Sequence, residues 1–381
     1  MREDINGNRL RMARIMRKLS SPKLASLIEV TKQAVWQYEN QQANPLPDTM
    51  LKICSVLGFP RQFFYEGYNE IYELGKSYCR TSTATTKAAK EAQQHYNILR
   101  VLLYRYFSNY IEFPPINFPN FVHSEFDDME AYALAVREFY GLGESPIVNM
   151  ANFLENIGII LSTYYHSDNK FDGLSSAPLV DKERYRVTIY NLENTTFSRL
   201  QFTLGHELGH WLLGHIDSDE DTLTAEDYRD NEKEANLFAS CLLLPKQAFI
   251  NDMINPTDLS SYVPLKRKWK VSIAMMVMRA RNLELIDYQQ YQNLYKQLSR
   301  KGWRTSEPYD DFAIVPIPTL LPEAVELLDT HNIVKKTSLV RELSNSCFSA
   351  HQGLYESLLN LKEHSLDALY GDNTPKLRLI R

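Results

Sequence analysis

Cysteine is scarce: there are four in 381 residues (Cys54, Cys79, Cys241 and Cys347), far apart and in no CxxC pair. That excludes a zinc ribbon or a disulfide-stapled framework and fits a reducing compartment. Long apolar runs are missing too, and none reaches the ~18 residues that a membrane-spanning helix needs. The opening MREDINGNRL has no apolar stretch behind its charges, so no secretory leader is expected and the chain reads as cytoplasmic. What is present is ordinary globular material, 44% hydrophobic and 12% aromatic. Enough apolar surface is available to offset chain entropy, which excludes disorder throughout. The length implies two or three domains.

The net charge of -5 is unevenly spread. Between Asn8 and Asn40 seven basic residues (Arg9, Arg11, Arg14, Arg17, Lys18, Lys23, Lys32) face two acids (Glu29, Glu39). This segment is therefore +5, and the remaining chain must carry -10 to give the total of -5. A basic head on an acidic body suggests a nucleic-acid-binding module attached to something else.

The head reads as five short helices. Leu10, Ala13, Ile15 and Met16 form one apolar helical face. Ser21-Pro22 reads as the next helix start, with Ser21 as cap and proline in the first turn. Glu29-Val30 make a turn, and Thr31 caps a third helix running to about Asn40. Its polar side carries Thr31, Lys32, Gln33, Gln37 and Asn40, able to bond base edges or phosphates, with Arg9 and Arg11 placed nearer the phosphates. Trp36 is read as core. Asp48 caps a fourth helix, and Phe63-Phe64 close the bundle. With PKLASLIEVTKQAVWQYENQQANP at its centre, the segment resembles the XRE-type helix-turn-helix of phage-repressor-like regulators. The resemblance implies an operator DNA partner. Some such domains instead dock proteins or dimerise. Beyond it, Lys87–Tyr110 reads as a long amphipathic helix, structural or dimerising.

At the centre stands His206-Glu207-Leu208-Gly209-His210, an H-E-x-x-H pattern. This composition gives roughly 0.015 chance occurrences per chain. Ser198 can cap the helix, on which His206 and His210 lie one turn apart and can bind one tetrahedral metal. Glu207 is then beside the open position, placed to take a proton from water and return it to a leaving amine. A third ligand is needed. His215 is one residue short of the spacing that places a third histidine at 216, where Ile216 stands, and one residue turns a helix by about 100°. Downstream, Ala235, Phe238, Ala239, Leu242 and Leu243 form a buried helical face that includes Glu232, with Glu234 just outside it. Glu232 is therefore the preferred third ligand, and Asn236 can hold a ligating histidine from behind. Two imidazoles and a carboxylate are a common catalytic zinc set, and manganese is also compatible.

Together with Phe171-Asp172-Gly173-Leu174-Ser175, Thr188–Asn191, the segment Glu232–Ala239 and Trp269–Ile273, this motif resembles the ImmA/IrrE family of metallopeptidases, over roughly residues 128–290. The resemblance implies a zincin-like domain in which Ile159–Ser162 and Val187–Tyr190 are strands beside the active-site helix. An edge strand there could hold an extended substrate. The expected fold class is mainly α with a small sheet (α+β). The expected divisions are 1–67, helix-turn-helix; 68–120, connecting helical segment; 121–297, metallopeptidase; and 298–381, a helical domain with no assigned role. The implied function is a metal-dependent endopeptidase that cleaves or inactivates a transcriptional repressor in phage, mobile-element or stress regulation. The alternative is a regulator, or an antitoxin, whose metal fold senses a ligand without proteolysis. The expected partners are DNA and a repressor protein, with no membrane and a homodimer compatible.

Overall fold

Side-chain caps decide where the first helices begin. The computed structural model describes residues 4–65, 72–81, 87–164, 171–193, 195–217 and 223–366. Asn6 accepts from the amides of Asn8 and Arg9 and starts α1 (Gly7–Met16). Ser20, one residue before the cap expected at Ser21, accepts from Lys23 N and starts α2 (Ser21–Leu27), with Pro22 in its first turn. Thr31 caps α3 (Lys32–Glu39) through Ala34 N. Asp48 is not a cap, because Pro47 already opens α4 (Pro47–Leu57) and leaves Asp48 in the first turn, where its charge suits the helix dipole. A 3-10 turn, Arg61–Phe64, buries Phe63 and Phe64 and closes the bundle. The turn between α2 and α3 places Glu29 at φ 58.

The segment expected as a helical connector contains a strand. β1 (Tyr72–Thr81) precedes α5 (Lys87–Ser108) and belongs to the central sheet. The sheet continues with β2 (Ile160–Thr163), β3 (Phe171–Val180), β4 (Glu183–Arg184) and β5 (Val187–Tyr190), in the order β1-β3-β5-β2, with β4 paired to β3. β1 and β5 run antiparallel to β3, whereas β2 lies parallel to β5, with Leu161 opposite Thr188.

Alternation along the strands separates two cores. Leu174, Val187, Ile189 and Ile160 face one side, where they join the helix-turn-helix residues, Ile98, Leu99, Leu102 and Leu103 of α5, and the C-terminal helices α14 (Leu320–Thr330), α15 (Lys336–Ser346) and α16 (Gln352–Leu358). The apolar face of α5 is thus consumed within the chain. Tyr78, Ala177, Leu161 and Tyr190 face the other side. That side is covered by α6 (Met129–Phe139), α7 (Met150–Asn156), α8 (Phe197–Leu212), α9 (Ala225–Leu243) and α10 (Lys246–Asp252). It is completed by α11 (Tyr262–Trp269), α12 (Ile273–Asn282) and α13 (Tyr288–Arg300). Glu155 of α7 accepts from the amides of Thr319 and Leu320, fastening the start of α14 to the second core. The molecule is mainly helical around one small mixed sheet. Among the described residues, no helix is long and apolar enough to cross a membrane.

Candidate metal centre and nucleic-acid face

The cap of α8 is Thr196, not Ser198; Ser198 lies inside the first turn, 1% exposed. Two glycines then let α9 approach α8 closely. A Cβ on Gly209 would stand 3.2 Å from Ala235 Cα and 3.1 Å from Phe238 Cδ1, and one on Gly205 would stand 3.3 Å from Leu243 Cδ1. With no side chain between the helices, Glu232 of α9 reaches the two histidines of α8. His206 Nε2 lies 2.9 Å from His210 Nε2, and the Glu232 carboxylate is 3.6 Å from the first and 3.3 Å from the second.

These spacings suit a cation. Tetrahedral zinc bonds of about 2.0–2.1 Å place donor atoms about 3.3 Å apart, which the three distances bracket. The donors have the right protonation as well. Asn236 Oδ1 lies 3.0 Å from His206 Nδ1, so that nitrogen carries the proton and Nε2 offers a lone pair to the centre. Burial works against a charged Glu232, but the facing His206 and His210 outweigh it and hold the carboxyl below its ordinary range. The trio forms one cluster of ligand-type atoms within 4.8 Å of one another, with both histidines buried. The donor set fits zinc, and nothing in it rejects manganese.

Glu207 is buried beside the trio and held from the sheet. Ser175 Oγ donates to its Oε2 at 2.6 Å; Ser175 and Thr188 hydroxyls are 2.8 Å apart; and Trp211 Nε1 donates to Thr188 Oγ1 at 3.0 Å. An indole N–H only donates and a carboxylate only accepts, so the chain runs one way, from Trp211 through Thr188 and Ser175 to Glu207. Gly173 makes room for the carboxylate, because a Cβ there would meet Glu207 Oε1 at 2.5 Å.

No local sequence pattern marks either hydroxyl, or Tyr78, for the site. Tyr78 packs its ring 4.0 Å from that of His210 and stacks on Tyr228 at 5.4 Å. His215 is absent from the trio and lies behind His210, with 2.9 Å between their Nδ1 atoms. Burial, followed by the neighbouring His210, holds His215 below its ordinary pKa. A cavity of about 640 Å³ opens between Phe202, Thr203, Asn236, Leu237, Arg199 and Met275; it reaches Asn236, the partner of His206, but neither the trio nor Glu207 is among its lining residues.

The helix-turn-helix face differs from expectation in two places. Lys32 and Gln33 are exposed on α3, Gln37 is half-buried, and Thr31 spends its hydroxyl on the cap. Arg9 cannot reach a phosphate: it is fully buried, its guanidinium 4.6 Å from the Phe63 ring centroid. Trp36, read as core, is 51% exposed, because Val35 and Tyr38 supply the buried side of α3. Arg11 is exposed, near enough to Tyr72 and His95 to bias their ionisation. Arg14 binds Glu39 through two nitrogens, and Arg17 donates to Leu57 O, so both serve the fold. The four remaining cations of the stretch, Arg11, Lys18, Lys23 and Lys32, are exposed and form its outward charge.

Comparison with known families gives two matches. Residues 10–64 match the helix-turn-helix family, and residues 173–281 match the IrrE N-terminal-like domain, a peptidase family. The second match spans β3, α8, α9 and α12, and so includes Glu207 and all three clustered ligand-type residues. No curated protein matches the chain at a significant level. The chain thus joins a region similar to XRE-type helix-turn-helix domains to one similar to ImmA/IrrE-like metallopeptidase domains, which fits DNA binding and transcription regulation.

Proposed function

We propose that this fusion is a metal-dependent endopeptidase that inactivates a repressor protein, with its helix-turn-helix bringing it to operator DNA or to that repressor. The observation that carries the reading is Glu207. Holding a metal requires only His206, His210 and Glu232, yet a buried carboxylate stands beside them with its own supporting hydrogen bonds. A bound zinc ion would supply Lewis-acid polarisation of the peptide carbonyl and a lowered pKa for water. Glu207 takes the proton of the attacking water and delivers it to the departing amine, so that peptide cleavage balances as one water consumed. Ser175 fixes the carboxylate for that transfer, and Asn236 keeps His206 in the tautomer that faces the centre.

The resemblance points to an XRE-type repressor encoded nearby as substrate. The second reading, a regulator without proteolysis, is favoured by the complete burial of His206, Glu207 and His210. Co-expression with each neighbouring-gene product and a repressor-controlled reporter separates the two. Proteolysis predicts derepression by the natural chain and none by Glu207→Gln; derepression by both supports the regulator.

A further inference from the structure

We infer that His215 and Glu234 are positioning residues that set the tautomer and orientation of His210 for metal binding. This rests on the reading of His206, His210 and Glu232 as a metal site.

The geometry starts at the end of α8. Gly214 adopts φ 76, a left-handed turn that folds the chain back so that His215 sits against His210, although the two are five residues apart. His215 is 6% exposed, and its ring centroid is 5.1 Å from that of His210. Its Nδ1 lies 2.9 Å from His210 Nδ1, and its Nε2 lies 3.2 Å from Glu234 Oε2.

The direction of these bonds follows from their end group. A carboxylate accepts only, so His215 Nε2 carries the proton it shares with Glu234. With Nε2 as the donor, Nδ1 of the imidazole is the acceptor, and the 2.9 Å contact holds one hydrogen, given by His210 Nδ1–H. His210 is left with its lone pair on Nε2, the atom that faces His206 Nε2 and Glu232.

Helix α9 is the common source of this order. It carries Glu232, the third ligand; Asn236, one turn on along the same face, which holds His206; and Glu234 between them. Glu234 is turned about 200° from Glu232 and half exposed, so it points off the contact face. The His215 ring spans the distance that Glu234 cannot. Metal-ligating histidines ordinarily give their second N–H to a carboxylate or carbonyl directly. Here an imidazole is interposed, and no local sequence pattern signals it.

The test is zinc affinity of the purified full chain, measured by competition with a chromophoric chelator. His215→Phe keeps a ring but removes the acceptor; His215→Asn is smaller but keeps one. A positioning role predicts that Phe weakens zinc binding about 10–100-fold and that Asn recovers most of it. A packing role predicts the reverse order. Glu234→Leu, at a half-exposed position, guards against misfolding of the ring variant and should weaken zinc binding by about tenfold. Wild-type affinity in both His215→Phe and Glu234→Leu, or Asn no better than Phe, overturns the inference while leaving the metal site standing. Zinc binding that survives loss of both His206 and His210 overturns the site itself, and the inference with it.

Discussion

Ser175 Oγ donates to Glu207 Oε2 at 2.6 Å, across the contact between the central sheet and α8. A hydroxyl of β3 thereby fixes the candidate proton carrier of α8. Ser175→Ala should keep zinc and fold but lower peptide cleavage by about tenfold, because one orienting hydrogen bond to the base is lost. Parallel zinc analysis and cleavage assays on the same preparation check this, and full activity in the variant would remove Ser175 from the mechanism.

Gly173 offers a sharper version of the same test. Its added Cβ would meet the end of the Glu207 side chain rather than backbone, so the fold can yield cheaply. Gly173→Ala should therefore shift thermal stability little while displacing the carboxylate and reducing cleavage by at least about tenfold. An inactive variant that is also strongly destabilised would point to a structural role only.

Gly209→Ala should behave differently, since its neighbours are the Ala235 backbone and the Phe238 ring. Forcing α8 and α9 apart should cost about 1–3 kcal/mol of stability and weaken zinc binding, because Glu232 loses reach. Denaturant unfolding and chelator competition measure the two effects, which should appear together.

Acid should loosen the contact between the helix-turn-helix and α5. Burial, then the charge of Arg11, pushes His95 down to about 4 from an ordinary 6.5. The unfolded chain therefore binds a proton that the folded one refuses between these values, and stability falls as pH drops from 6.5 to 4. Fully expressed, the effect is about 3 kcal/mol at most. Urea unfolding at stepped pH should show this slope, and His95→Leu should flatten it; an unchanged slope assigns acid sensitivity elsewhere.

DNA binding divides the basic residues by exposure. Lys32→Ala should weaken binding on all sequences and reduce the salt dependence by about one counterion. Arg9→Ala should instead lower the stability of the domain, since the guanidinium packs over Phe63 inside it. Gel-shift titrations at several salt concentrations, paired with thermal melts, distinguish the two. A phosphate-type salt effect from Arg9→Ala would contradict its buried placement.

The sequence carried the parts of this site that are local. H-E-x-x-H is a helical spacing, and Glu232 emerged because the apolar residues around it mark one face of a helix. The double match to a helix-turn-helix and a peptidase family agrees with motifs that lie within single segments. What was illegible depends on contacts between segments. β1 went unread because a register shift between Glu73 and Lys76, with Gly75 at φ 69, breaks the two-residue period of YELGKSYCRT. Tyr78 consequently arrived at His210 without notice. Ser175 and Thr188 look like ordinary strand hydroxyls until the sheet sets them opposite one another, facing Glu207. Trp36 and Arg9 were misplaced for a shared reason: residue type gave the wrong side, and only the packing of α1 and α3 shows which face is covered.

The central claim, hydrolysis by Glu207 at a His206–His210–Glu232 metal site, is tested most directly by one comparison. The zinc-loaded chain and its Glu207→Gln variant are each incubated with the candidate repressor, and the fragments are read by mass spectrometry. The predicted result is a discrete cut by the natural protein and at least ~100-fold slower cutting by the variant at equal zinc content. Equal cutting by both proteins, or an intact repressor in both under conditions that relieve repression, would contradict it.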